Sequence, residues 1–333
     1  MAIPAAVFDP MEAELVHFYA RAQTRLQAVI TNASATPFAR RRAELLVQQI
    51  ESIASSLEEH QRGWSVKNLP RSYRAGVNLT AQAFRLPVLP SMTVMDRRSI
   101  EVAIERVISD TSGALRSIAP YAQRVWVDTQ QRLIQEQSLA ELIAGGRVEG
   151  LGPRELGKRI SATLQDAASE RLEGFVIPSL RADLERTARG ELIGITCRDG
   201  KLRHYNLRSY GELVANTATR MTATEGALNA TIANGGDLVQ ITVHSGACPM
   251  CLPVQGKVFS ITGQTPGFPV LTNENKTPLH PKCRHETIGV DADFLRERGV
   301  YGRIQELSSQ KRPIQSAQDY ATKLKRPAKR KAA

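Results

Sequence analysis

The sequence predicts a mainly α-helical chain with a small α+β domain near its C-terminus. From about residue 10 to residue 190, apolar side chains recur every three to four residues, the period of an amphipathic helix. After residue 190 the pattern changes to short runs rich in Ile, Val and Thr that are separated by glycine-containing turns, which is typical of strands. The length of 333 residues is consistent with about two domains of roughly 150 residues each.

The N-terminal half is predicted to be a series of helices. Leu15 and Leu26 belong to the apolar stripe of the first helix. The second helix is predicted to break between residues 63 and 70, because glycine and proline both disfavour a helix interior. A linker follows at Leu86–Pro90, and Asp96 is predicted to cap the next helix. Helical spacing then continues, with interruptions, to about residue 188.

The C-terminal half is predicted to alternate strands and helices. Asp199-Gly200 favours a tight hairpin turn, because both positions of such a turn need a positive φ. The predicted elements are strands at 191–197, 202–206 and 237–244, a long helix at 210–233, and a short helix at 291–298. Gly256-Lys257 lacks the spacing of a phosphate-binding loop and is interpreted as a turn into a short strand.

These patterns divide the sequence into three predicted regions. Residues 1–190 form a helical domain, residues 191–300 form an α+β domain with a cysteine-rich loop at 246–285, and residues 301–333 form a basic tail. The stretch 311–333 has eight basic residues and one acid, so it carries +7 of the net charge of +11. We expect this tail to be mobile, with at most a short helix at 315–324.

The composition excludes several protein classes. Hydrophobic residues make up 42% and charged residues 23%, which is inconsistent with a wholly disordered, collagen-like or disulfide-dense chain. The longest apolar runs are too short to span a membrane, and the first ten residues lack the features of a signal peptide. We therefore expect a reducing compartment, in which the four cysteines stay free of disulfides.

A cluster of cysteines and histidines predicts a zinc site. Cys248-x-x-Cys251 supplies two thiolates from one turn, and His280-x-x-Cys283-x-His285 supplies another thiolate with two histidines. Structural Zn²⁺ takes four such ligands in a closed tetrahedron. We predict that Cys248, Cys251, Cys283 and His285 bind the metal, with His280 as the alternative fourth ligand.

Two other interpretations of the cysteines stay open. The thiols can be small buried side chains, as we expect for Cys197 on its predicted strand. Cys248 and Cys251 can also form a redox pair, although such a motif should begin a helix, and Pro253 and Gly256 follow it closely.

At these motifs the sequence resembles a known family. The segments His244-Ser-Gly-Ala-Cys-Pro-Met-Cys-Leu-Pro-Val-Gln-Gly-Lys-Val-Phe-Ser260 and Pro278-Leu-His-Pro-Lys-Cys-Arg-His285 look like the C-terminal signature of tailed-phage minor capsid proteins. They are also similar to head-morphogenesis proteins of phage Mu type. The preceding helix Leu207–Arg220 and the hairpin Arg198–Asn206 fit the same pattern, so the resemblance covers about residues 195–290.

The resemblance implies a structural virion protein rather than an enzyme. Members of the family are placed at or near the portal vertex or on the inner face of the head, where they act in head assembly. The expected partners are the portal protein, the major capsid protein, other copies of the chain and packaged double-stranded DNA. No membrane is expected among the partners. The chain is expected in the virion, and in the host cytoplasm while heads assemble.

The basic tail is the predicted site of DNA contact. The residues expected to bind phosphate are all basic, and no aromatic residue lies among them in the sequence. This pattern favours sequence-independent contact with duplex DNA. They are Lys323, Lys325, Arg326, Lys329, Arg330 and Lys331. Arg40–Arg42 is a second basic cluster.

Two rival functions fit the same cysteine motif. The main one is a zinc-dependent nuclease, or another DNA-processing protein, of treble-clef type, which needs an open metal position and a general base. The acids near the motif, Glu274, Glu286 and Asp291, are scattered in sequence. The other is a zinc-containing DNA-binding regulator, for which no recognition helix adjoins the motif.

Overall fold

A computed structural model describes residues 5–34, 40–86, 91–122, 186, 189–196, 200–280, 282–310 and 312–325. Within these residues the chain is mainly α-helical, with a small region that contains strands near the C-terminus. The predicted fold class is therefore confirmed. No helix in these ranges is both long and apolar enough to cross a membrane.

In the described part of the chain the long helices come first, and strands appear only after residue 190. The first three helices are α1 (Ala5–Ser34), α2 (Arg40–Ala83) and α3 (Val94–Arg116). The middle elements are β1 (Ile193–Thr196), β2 (Leu202–Tyr205) and α4 (Leu207–Ala233). The remaining elements are β3 (Leu238–Ile241), β4 (Val258–Ser260), β5 (Thr287–Val290), α5 (Ala292–Glu297), α6 (Tyr301–Ser309) and α7 (Ala317–Lys325).

The chain divides into two compact units that are not contiguous in sequence. The first contains residues 1–18, 59–111 and 211–333, and the second contains residues 19–58 and 112–210. The predicted regions 1–190, 191–300 and 301–333 are contiguous, and they stay a prediction about which parts fold independently.

In the first unit, α2 and α4 cross at glycines. A Cβ atom added at Gly76 would overlap the backbone carbonyl of Ala223, and one added at Gly226 would overlap the carbonyl of Tyr73. Only residues without a side chain allow two helix backbones to approach so closely. Nearby, Phe8 and Met11 of α1 pack in one buried cluster with side chains of α2, α4 and β5.

The predicted break in the second helix is wrong, because α2 runs through both Gly63 and Pro70. Proline costs about 3 kcal/mol in a helix interior. The flanking side chains are deeply buried, with Trp64 2% and Leu69 0% exposed. The indole of Trp64 also donates a 2.7 Å hydrogen bond to the Met11 carbonyl. Tertiary packing therefore outweighs the local preference of the chain.

The cap predicted for the third helix lies one turn too late. Thr93 precedes α3, and its hydroxyl accepts a 3.1 Å hydrogen bond from the Asp96 amide. The Asp96 carboxylate in turn accepts from the amide and the hydroxyl of Thr93, at 2.7 and 2.8 Å. This is a reciprocal capping arrangement in which Thr93 is the cap and Asp96 is its partner three residues later.

Two antiparallel sheets follow the helices. The predicted hairpin is present as β1 and β2, with Ile193 opposite Tyr205. The second sheet has the order β4-β3-β5, with β3 in the centre. Leu238 and Val239 of β3 are 1% and 0% exposed, so the central strand is buried. Strand β4 follows Gly256-Lys257 as predicted, whereas β5 is too short and too close to the cysteine motif to stand out in the sequence.

The expected mobility of the tail 311–333 is wrong for residues 312–325, the part of it that the structure describes. These residues follow α6 and form α7, and Ile314 between the two helices is 1% exposed. The Tyr320 hydroxyl accepts a 2.5 Å hydrogen bond from Gln240 of the central strand. The helix expected at 315–324 is found at 317–325, but it is packed on the domain rather than free.

Candidate metal centre

The first half of the site is the turn that carries Cys248 and Cys251, between β3 and β4. The Cys248 carbonyl accepts hydrogen bonds of 3.0 Å from the amides of both Cys251 and Leu252. This tight turn brings both thiols to the same side of the loop. Cys251 is 1% exposed, whereas Cys248 is only partly buried.

The second half of the site is the segment that leads into β5. The His280 carbonyl accepts a 3.1 Å hydrogen bond from the Cys283 amide, so this segment also turns tightly. Cys283 and His285 are 0% and 3% exposed. Leu279 packs in one cluster with Cys251 and Cys283, and this contact holds the two halves together.

All five predicted donors meet in one cluster. Their ligand atoms form two groups of three, Cys248 with Cys251 and His280, and Cys251 with Cys283 and His285, so that Cys251 belongs to both. The Cys251 and Cys283 sulfurs are 3.8 Å apart. The Nε2 atom of His280 lies 3.2 Å from the Cys248 sulfur and 3.1 Å from the Cys251 sulfur.

The donor set and its spacing fit a tetrahedral metal ion. Zinc bonds of about 2.3 Å to sulfur and 2.0 Å to nitrogen place two thiolate ligands about 3.8 Å apart and a thiolate and an imidazole about 3.5 Å apart. The sulfur–sulfur distance matches the first value, and the distances to His280 are shorter than the second by a few tenths of an ångström. Thiolate and imidazole together are the ligands that zinc prefers in structural sites.

The two histidines differ in their surroundings. His280 contacts two thiols through Nε2. The Nε2 atom of His285 instead lies 3.0 Å from the Gln255 side-chain oxygen, and its Nδ1 lies 3.8 Å from the Cys283 sulfur. An oxygen acceptor at Nε2 keeps a proton there and leaves Nδ1 unprotonated, so Gln255 orients this ring. Each histidine therefore offers one nitrogen to the cluster, and His280 has the closer contacts.

Burial controls the protonation of the cluster. It lowers the pKa of His285 to about 4, assisted by the neighbouring His244, His280 and Arg220. This keeps His285 neutral at pH 7, as a metal ligand must be. Burial also raises the pKa of the Cys251 thiol far above its usual range, with the Cys283 and Cys248 sulfurs adding to the effect. A divalent cation would supply the positive charge that stabilises these thiols as thiolates.

A buried ion pair anchors the segment beyond the cluster. Glu286, next to His285, is 5% exposed and accepts a 3.2 Å hydrogen bond from the Arg220 guanidinium on α4. Arg220 is 7% exposed, and its guanidinium lies 4.8 Å from the centre of the Phe8 ring. The Arg220 guanidinium also lies 3.8 Å from the Glu12 carboxylate of α1, and truncating one member of a buried ion pair costs about 3–5 kcal/mol. Glu286 is therefore part of the scaffold of the site.

Gln255 is the residue of the site that the sequence analysis missed. Its side chain is 0% exposed, and its oxygen also accepts a 3.1 Å hydrogen bond from the His244 amide. Its amide nitrogen donates to the Ile314 carbonyl, between α6 and α7. Gln255 therefore connects the cysteine loop to the C-terminal helices. A glutamine in a polar loop gives no sequence signal of this role.

The structure describes only part of the predicted DNA-contact set. Lys323 is engaged within the fold, because its ammonium donates to Asp319 at 2.8 Å and to the Pro313 carbonyl at 3.1 Å. Lys325 is exposed at the end of α7. Arg326, Lys329, Arg330 and Lys331 lie outside the described residues, as does Cys197, and so do the side chains of Arg40–Arg42.

Comparison with known proteins identifies the segment that contains this cluster. Residues 184–290 match the family model of phage minor capsid protein 2. The predicted resemblance to phage minor capsid proteins is confirmed. The matched segment includes α4, the three-stranded sheet and all five donors of the cluster. No curated protein and no solved structure matches the chain.

Proposed function

We propose that the chain is a non-enzymatic minor capsid protein that acts in phage head assembly, at or near the portal vertex or on the inner face of the head. The observation that supports this most is the match of residues 184–290 to the minor capsid family. In this proposal the fold presents surfaces to other virion proteins, such as the portal protein, the major capsid protein or a second copy of the chain.

The metal in this proposal is a structural zinc ion. Cys248, Cys251 and Cys283 would bind it with one histidine, and the contacts of His280 favour that residue over His285. The loop from 246 to 285 contributes only the three-residue strand β4, so a metal cross-link between its two ends would stabilise it strongly. Four protein ligands would close the metal site, leaving no position for a reactive water.

Contact with packaged DNA would come from the C-terminal end. Lys325 is exposed, and the sequence after it adds four basic residues and no acid. Their attraction to phosphates would be independent of sequence and would weaken steeply with salt.

The proposal is tested by co-expression with the portal protein and the major capsid protein of the phage or prophage that carries this gene. We expect the chain to co-elute with one of them in size-exclusion chromatography at 150 mM salt. The matched control is Cys251→Ser, which should weaken co-elution if the region around the metal site contacts the partner protein. Elution of the wild-type chain apart from both proteins, together with its absence from assembled heads, would contradict the proposal.

The nuclease alternative has less support from the site. Among the described residues, the two groups of candidate metal ligands contain only cysteine and histidine, with no carboxylate. The acid nearest in sequence, Glu286, is occupied by Arg220. We expect no cleavage of duplex or single-stranded DNA with Mg²⁺, Mn²⁺ or Zn²⁺. Nicking that disappears in His244→Ala would instead favour the nuclease.

A further inference from the structure

An apolar groove lies beside the cysteine turn, and none of the five candidate metal ligands lines it. Its volume is about 460 Å³, within the range of ligand-binding clefts. The residues that line it come from four places: the end of the cysteine turn, β4 with the residue before it, the loop that follows β4, and the C-terminal end of α6. We call it the Lys257 groove, after the one charged residue that lines it.

The floor and walls of the Lys257 groove are aromatic and proline side chains. Phe259 and Phe268 are 3% and 7% exposed, so they belong to the core and only a small part of each side chain faces the groove. Pro253 and Pro269 also line it. Aromatic and proline surfaces of this kind bind extended, apolar or proline-containing peptide segments.

Lys257 places a single positive charge among these apolar groups. Its side chain is half-buried, and among the residues the structure describes no carboxylate pairs with it and no hydrogen bond satisfies its ammonium. Burial lowers the pKa of Lys257, consistent with an ammonium that has lost water without gaining a partner. A cation in this position is complemented by one carboxylate carried on an apolar segment.

We propose that the Lys257 groove binds an extended peptide segment of a partner protein, in which one Asp or Glu is flanked by apolar or proline residues. The carboxylate would pair with Lys257, and the flanking side chains would cover Phe259, Phe268 and the two prolines. The inference goes beyond the proposed function, because it depends only on the residues of the groove and not on where the chain acts.

Nucleic acid is a poorer match for this groove. A duplex backbone presents one negative charge about every 1.7 Å of its length, and its binding sites need several cations along it. The Lys257 groove has one cation and mainly apolar walls. Phosphate would therefore lose hydration here without sufficient compensation.

The test is an array of synthetic nine-residue peptides with one Asp or Glu among Phe, Leu and Pro, beside the same peptides with Asn or Gln at that position. The purified full chain is applied at 150 mM salt. We expect the acidic peptides to bind at least tenfold more tightly than their amide counterparts. Equal binding of both sets, or no binding of either, would overturn the proposal.

Two variants of the groove, with one control, locate the peptide-binding site. Lys257→Met keeps most of the side-chain volume and should abolish the preference for acidic peptides. The control Lys67→Met removes an exposed lysine of α2 and should retain that preference. Ser309→Trp places an indole at an exposed position of the groove and should weaken all peptides at least tenfold. Unchanged binding by either Lys257→Met or Ser309→Trp, in protein with the wild-type Tm, would show that the peptides bind elsewhere.

A third arm distinguishes phosphate from carboxylate. Inorganic phosphate at 10 mM and a 20-base-pair duplex are added as competitors at constant ionic strength. We expect neither to displace the bound acidic peptides. Displacement by the duplex that depends on Lys257 would replace the peptide proposal with a nucleic-acid site.

Discussion

His280 and His285 are alternative candidates for one position in the proposed metal site, and their neighbours explain why the sequence could not decide between them. Both lie within a few residues of Cys283, so spacing alone allows either. The difference lies in Gln255, which contacts Nε2 of His285 from a distant turn of the chain. Such a long-range contact cannot be derived from local sequence. The five donors themselves were predictable, because their spacing is characteristic of zinc sites.

The histidines can be ranked by metal content. Wild-type protein should hold about one zinc per chain by plasma mass spectrometry, and Cys251→Ser should hold none, since Cys251 belongs to both groups of donors. His280→Ala should lose most of the metal, whereas His285→Ala should keep more of it. The sequence-based preference for His285 predicts the reverse order. If wild-type protein made in zinc-replete medium contained no zinc, the metal site itself would be refuted.

Asp237 makes a pH-dependent contribution to stability. Burial by itself raises the pKa of this carboxyl, but hydrogen bonds from Ser260, Thr265 and Thr262 outweigh it and hold the pKa at about 2. Because this is below the value of about 3.9 in an unfolded chain, the stabilisation is complete above that value and is lost as the pH falls towards 2.

The variant Asp237→Asn measures that contribution. At pH 6 it should lower the free energy of unfolding by about 1–3 kcal/mol, because the amide accepts these hydrogen bonds less well. In urea unfolding the gap between the two proteins should shrink as the pH falls from 4 to 2, where wild-type Asp237 becomes protonated. A gap of the same size at both ends of this range would contradict the assignment.

Among the elements, helices with a clear apolar stripe could be predicted, but their ends and interruptions could not. α2 continues through Pro70 because the neighbouring Leu69 is fully buried. Strand β5 and helix α6 were missed for a related reason. Each is short, and each owes its stability to β3 or to the core beside β4 rather than to its own sequence.

The close crossing of α2 and α4 can be tested because it should reverse the usual effect of a Gly→Ala substitution on stability. Ala normally stabilises a helix by about 1 kcal/mol over Gly. At Gly76 the added methyl group would overlap the Ala223 carbonyl, so Gly76→Ala should lower the Tm. Gly63→Ala in the same helix has nothing within 4 Å and should raise it. Thermal unfolding that shows Gly76→Ala to be as stable as Gly63→Ala would contradict the close crossing.

At the scale of the whole molecule, the fold class could be predicted, but the extent of the folded C-terminus could not. The charge of residues 311–333 suggested a free tail, yet Ile314 is buried and Tyr320 contacts the central strand. Positive charge at the surface of a helix is compatible with packing on its other face. Charge content alone therefore does not distinguish a solvated helix from a mobile tail.

Two truncations separate folding from DNA contact. Deletion of residues 326–333 should leave the Tm unchanged and should reduce retention on duplex DNA at 50 mM salt, because it removes four basic residues. Deletion of residues 311–333 should also lower the Tm, because it removes Ile314 and α7. If the protein that lacks residues 326–333 binds DNA as well as the intact chain, the basic C-terminal end does not mediate DNA binding. Arg40–Arg42 then becomes the next candidate site of DNA contact.

The claim that the chain is a component of the phage head is tested most directly by its presence in assembled particles. Heads purified on a density gradient from the phage or induced prophage that encodes this gene would be digested and analysed by quantitative mass spectrometry. If the chain is a minor component of the head, its peptides should occur at a constant, substoichiometric ratio to the major capsid protein across the particle peak. Peptides found only in the unassembled fraction, and none in the particles, would contradict the claim.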